Sequence, residues 1–142
     1  MHVLVDTSVW SLALRRKHVP IGIGQSLAVA ALKDLIADAR AMMIGPVRQE
    51  LLSGIKDAAQ FERLRAALAA FPDEPLTAQD FERAAQYFNL CKAQGVQGSN
   101  TDFLICAIAV QRKLPVFSVD KDFMHFQKCL PLTLFSAPLQ AG

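Results

Sequence analysis

Four acidic side chains, Asp6, Glu50, Asp102 and Asp120, stand where a folded chain could gather them. Asp6 directly follows the apolar run Val3-Leu4-Val5, and Asp120 directly follows Leu114 to Val119. Glu50 lies one turn into the helical segment after Ala41 to Ile44, and Asp102 lies in the first turn after a loop. If the apolar runs are parallel neighbours in one sheet, all four acids reach its carboxyl edge, where α/β proteins bind their ligands. Carboxylates so gathered repel one another, and a divalent cation removes that penalty. Oxygen donors of this kind suit Mg²⁺ or Mn²⁺, with Asp6, Asp102 and Asp120 as the expected metal ligands. Such a site activates water and polarises a phosphoryl oxygen, so a phosphodiester is the natural substrate. Each acid alone has a plainer explanation. Asp6 and Asp102 suit helix N-termini, Glu50 a solvated helix face, and Asp120 a turn. The chemistry rests on the four together.

The elements that must position these acids are legible in the apolar spacing. His2–Val5, Ala41–Ile44, Leu114–Val119 and Leu132–Phe135 read as short strands, with Leu76 as a minimal further one. Helices are expected over Val9–Arg15, Gln25–Ala39, Val47–Ser53, Asp57–Ala70, Phe81–Ala93 and Thr101–Arg112, with a short one over Phe123–Gln127. Pro46 suits a first helical turn, and Gly54 and Gly95 suit helix stops. Thr77-Ala78-Gln79-Asp80 resembles a capping box. Asp122 is either a peripheral metal ligand or the cap of the short helix. Asp34, Asp38, Asp57, Glu62, Asp80 and Glu82 read as solvated. Strands alternating with helices predict an α/β fold with a mostly parallel sheet.

Composition bounds the remainder. At 142 residues the chain suits one compact domain over 1–142. A net charge of +2 excludes a polybasic nucleic-acid binder but allows a local basic patch. That patch would draw on Arg15, Arg16, Lys17 and His18, with Arg48 and Lys121 beside proposed site acids. The longest apolar run, Phe103–Val110, has eight residues, too short for a bilayer, which needs about 20. With no charged-then-apolar leader at the start, a cytoplasmic location is expected. Cys91, Cys106 and Cys129 lack zinc-site spacing and read as buried free thiols. Trp10 reads as core rather than a base-stacking platform. No serine or cysteine sits in a recognisable nucleophile motif. The apolar segment Gln25–Ala39 suits the core or a contact with a second chain.

With these residues in hand, the sequence resembles the PIN-domain family, and within it the VapC toxins of bacterial toxin–antitoxin pairs. The matching segments are Val5-Asp6-Thr7-Ser8-Val9-Trp10, Pro46 to Gly54, Asn100 to Ala107, and Pro115 to Phe123, in family order. The resemblance implies a five-stranded parallel sheet between helices and Mg²⁺- or Mn²⁺-dependent cleavage of RNA. It implies Asp6, Glu50, Asp102 and Asp120 as the acidic motif positions. Thr7 or Ser8 would be the hydroxyl supporting the first acid, and Ser118 the hydroxyl before the fourth. Cys106 stands where Ala is common. It also implies a homodimer and a VapB-like antitoxin laid across the acidic cleft. The competing reading is a non-catalytic PIN-like module that binds RNA or protein. An aspartyl phosphatase is disfavoured, because Ser8 stands where its second Asp would be.

Overall fold

A computed structural model of the chain describes residues 1–14 and 22–136. Strand β1 (Val3–Val5) is the central one, and all three of its side chains are fully buried. It pairs in parallel with β2 (Ala41–Met42) through Val3–Ala41 and Leu4–Met42. On its other side it pairs in parallel with β3 (Val116–Phe117) through Leu4–Val116 and Val5–Phe117. The order β2-β1-β3 puts the carboxyl ends of all three strands at one edge.

Among the described residues the sheet has three strands, against the five that the resemblance implies. The outer two positions are present as single parallel bridges, Met43 with Asp73 and Val116 with Leu134. Glu74 N donates to Met43 O at 2.9 Å, and Phe135 N donates to Val116 O at 2.8 Å. Pro72, Pro75 and Pro131 flank these bridges and lack the N–H that a longer ladder requires. The expected strand at Leu76 is therefore replaced by the bridge at Asp73, and Leu132–Phe135 contracts to one at Leu134.

Helices cover the sheet. They are α1 (Thr7–Leu14), α2 (Ile23–Ala37), α3 (Gly45–Leu52), α4 (Ala58–Leu68), α5 (Ala78–Ala93), α6 (Asn100–Arg112) and α7 (Asp122–Cys129). Helix α6 is buried without a break from Phe103 to Ala109, which explains why its sequence shows almost no polar face. α2 turns Ala28, Ala31, Leu32 and Leu35 inward and leaves Ile23 and Ile36 exposed. Trp10 is fully buried, with its ring centroid 4.8 Å from that of Phe71, so its role is in the core. Cys91 and Cys106 are buried free thiols, and Cys129 is half-buried and also free.

The Thr77–Asp80 capping box forms at the start of α5. Asp80 is not a solvated acid, however. It is 2% exposed and receives Arg112 Nη1 and Nη2, each at 3.0 Å. Arg112 also reaches Glu74 and the Pro75 carbonyl, tying α6 to α5 and to the segment between α4 and α5. Among the described residues no helix is long and apolar enough to cross a membrane.

Candidate metal centre

Asp6 is the innermost of the four site acids. It follows β1, its N–H donates to Phe117 O at 2.8 Å, and it is only 4% exposed. Its Oδ2 accepts the Ser8 hydroxyl at 2.7 Å, the Ser118 hydroxyl at 2.8 Å and the Ser8 N–H at 3.3 Å. Burial raises the pKa of Asp6, and these hydrogen bonds partly offset the rise by favouring the charged form. All three bonds converge on one oxygen, so Oδ1 is left without a hydroxyl partner. The two serines also tie the strand ends together. Ser8 Oγ accepts from Val119 N at 3.1 Å, and Ser118 Oγ accepts from Asp120 N at 3.0 Å.

The two hydroxyls after Asp6 divide their work. Ser8 supports Asp6, whereas Thr7 Oγ1 donates to Glu50 Oε2 at 2.9 Å and fixes the exposed acid of α3 to the first turn of α1. Asp120 is exposed, and its Oδ1 accepts from Asp122 N at 2.9 Å. Asp120 therefore supplies the turn that starts α7. Asp122 is the first residue of that helix rather than its cap, which is Lys121 and makes no side-chain cap bond, while Asp120 accepts the helix's first N–H.

Asp102 occupies the third position of α6. Ser99 Oγ accepts from Asp102 N at 3.1 Å, and Asp102 Oδ2 accepts from Ser99 N at 3.0 Å, a second capping box. The Ser99-x-x-Asp102 spacing carried that signal in the sequence, as Thr77-x-x-Asp80 did. The pKa of Asp102 is pushed up to about 6, mainly by burial, with the negative charges of Asp6 and Asp120 adding to the rise. Cys106, one turn further along α6, is pushed up by burial and then by the charges of Asp102 and Asp6. Acids from the ends of β1 and β3 and the start of α6 thus share one negative field.

The acids share a field without forming a closed cage. Among the described residues no three or more His, Cys, Asp and Glu side chains stand in a ligating arrangement. Asp6, Asp102 and Asp120 each turn one oxygen to a backbone or hydroxyl donor. Among the described residues none of the four acids is in an ion pair. The donor set is all oxygen and anionic, which suits a hard divalent cation better than a softer metal.

The basic residues fare differently. Arg48 donates to Asp73 Oδ1 at 3.0 Å, to Leu68 O at 2.9 Å and to Phe71 O, and so is taken up in holding the chain after α4. The sequence, which places Arg48 beside the site acid Glu50, carries no sign of this use. Lys121 is exposed beside Asp120. Arg15 and Arg16, like Lys17 and His18, lie outside the described residues.

Three of the solved structures to which the chain is similar are these. The crystal structure of FitAcB from Neisseria gonorrhoeae superposes with a TM-score of 0.71 and 21% identity, over 95% of this chain and 97% of that one. A structure of VapBC-1 from nontypeable Haemophilus influenzae gives 0.68 and 14% identity, over 95% and 97%. A toxin-antitoxin complex from Klebsiella pneumoniae gives 0.60 and 21% identity, over 85% and 89%. At these identities the likeness is one of fold. No curated protein sequence matches the chain. The family model described as PIN domain matches residues 3–128, and with nearly the whole described chain inside that match, the protein belongs to the PIN-domain family.

Proposed function

We propose that this protein is a metal-dependent endoribonuclease and the toxin of a type II toxin–antitoxin pair. The observation that carries this reading is the placement of Asp6 and Asp120 after adjacent parallel strands, with Asp6 braced by Ser8 and Ser118 and Asp102 in the first turn of α6. Asp6, Asp102 and Asp120 would hold Mg²⁺ or Mn²⁺, directly or through water. When bound, the cation supplies charge stabilisation at a phosphoryl oxygen and a more acidic water.

The chain's own residues do the rest. Ser8 and Ser118 orient the Asp6 carboxylate, and the Ser99 N–H orients that of Asp102. Glu50 has one oxygen anchored by Thr7, which leaves the other to accept a proton from the attacking water. The water oxygen bonds to phosphorus, the bond from phosphorus to O3′ breaks, and O3′ takes a proton. The products carry a 5′-phosphate and a 3′-hydroxyl.

The same reading includes a cytoplasmic location, a homodimer and a VapB-like antitoxin. Two of the similar structures are of VapBC-1 and of a toxin-antitoxin complex, which supports the antitoxin. The homodimer rests on the family resemblance alone. Purified protein incubated with RNA in Mg²⁺ should cut it. EDTA should stop the reaction, and Asp6→Asn should abolish it without unfolding the chain. Cutting that survives EDTA, or that Asp6→Asn leaves intact, overturns the reading.

A further inference from the structure

We infer that the outward face of α7 is a backbone track that holds the RNA strand as it enters the acidic centre; this rests on the nuclease reading above. An RNA strand approaching four carboxylates is repelled unless cations nearby offset the field. The arginines that the structure ties down do not serve. Arg48 pairs with Asp73, Arg65 with Glu62, and Arg112 with Asp80 and Glu74.

Helix α7 begins at the acids themselves, since Asp120 Oδ1 accepts from its first N–H. Lys121, His125 and Lys128 follow at helical spacing on one side, while Phe123 and Phe126 fill the core from the other. With Met124 and Gln127 they line a shallow depression of about 520 Å³, with no acidic residue in its wall among the described residues. All five are exposed, Met124 at 60%. Among the described residues Lys121, His125 and Lys128 make no ion pair. From Lys121 to Lys128 the helix rises roughly 10 Å, enough to contact more than one phosphate of a single strand. Cations along a groove with an exposed thioether between them suit a strand held by its backbone, without reading of its bases.

The test is binding of a fluorescein-labelled single-stranded oligouridine to the full chain, in EDTA so that the strand stays intact, across a series of KCl concentrations. Lys121→Gln/Lys128→Gln should lower the slope of log affinity against log salt by about 1.4 and weaken binding roughly tenfold near physiological salt. The charge-matched control Lys33→Gln/Lys113→Gln should keep the wild-type slope. Melting temperatures of both double variants show whether either is misfolded. An unchanged slope in the α7 variant overturns the inference, as does equal loss in the control. Wild-type protein that binds no RNA at any salt overturns it too. Failure of the nuclease reading shows separately, as RNA cutting that Asp6→Asn leaves intact.

Discussion

Replacing Asp102 by Asn should stabilise the metal-free protein at neutral pH. The carboxyl is held at about 6 in the fold, against an ordinary value of 3.8, chiefly by burial and then by the charges of Asp6 and Asp120. The folded chain therefore binds this proton more tightly than the unfolded chain does. The stabilising contribution is complete below about pH 4 and is lost as pH rises through about 6. At about 1.4 kcal/mol per pH unit, a rise from 3.8 to about 6 corresponds to about 3 kcal/mol. Asp102 is partly open to solvent, and screening reduces this to about 1–2 kcal/mol. Asparagine keeps an oxygen for the Ser99 N–H, so the capping contact survives the change. Urea unfolding in EDTA at about pH 4 and pH 7 measures the effect. The variant should gain about 1–2 kcal/mol over wild type at neutral pH and nothing in acid. Mg²⁺ should narrow the difference by stabilising wild type alone. A variant no more stable than wild type at pH 7, or with the same pH dependence, would refute the argument that burial, with the neighbouring acids, penalises the Asp102 carboxylate.

Other outcomes follow from the same geometry. Ser118→Ala removes a 2.8 Å donor from Asp6 and the acceptor for Asp120 N, so RNA cutting should fall about 10–100-fold while the melting temperature drops little, as steady-state kinetics and calorimetry would show. Arg112→Leu strands the buried Asp80 carboxylate and should cost about 3–5 kcal/mol in urea unfolding. Arg112 holds the pKa of Asp80 below its ordinary value, so wild type should lose that stability only in acid, as Asp80 takes up its proton. Gly98→Ala would set a methyl carbon 2.5 Å from Phe126 Cζ and 3.1 Å from Phe103 Cε2, next to the Ser99–Asp102 cap. It should destabilise the fold by about 1–3 kcal/mol, and thermal unfolding would reveal it.

The main architecture was legible because it is local. Three apolar runs, each followed within a turn or so by an acid or its helix, specify parallel strands and place Asp6, Glu50 and Asp120. The cap of α6 was equally readable, since Ser99 and Asp102 are three residues apart. What stayed hidden depends on long-range partners. The pairing of Asp80 with Arg112 joins residues on different helices, so Asp80 passed for a solvated acid. The engagement of Arg48 is hidden in the same way, because the carbonyls of Leu68 and Phe71 that claim it lie at and just past the end of the next helix. The split between Thr7 and Ser8 was invisible because it depends on where α3 sets Glu50. The edge positions shrank to bridges where prolines interrupt the backbone donors, a signal present in the sequence but outweighed by the apolar runs.

Binding of Mn²⁺ followed by electron paramagnetic resonance tests the cation site of Asp6, Asp102 and Asp120 without any RNA. Wild-type protein should take up Mn²⁺ at a site that Asp6→Asn and Asp102→Asn each weaken at least tenfold, with circular dichroism showing both variants folded. Equal Mn²⁺ binding by the wild type and both folded variants would contradict the assignment of these acids as one metal centre.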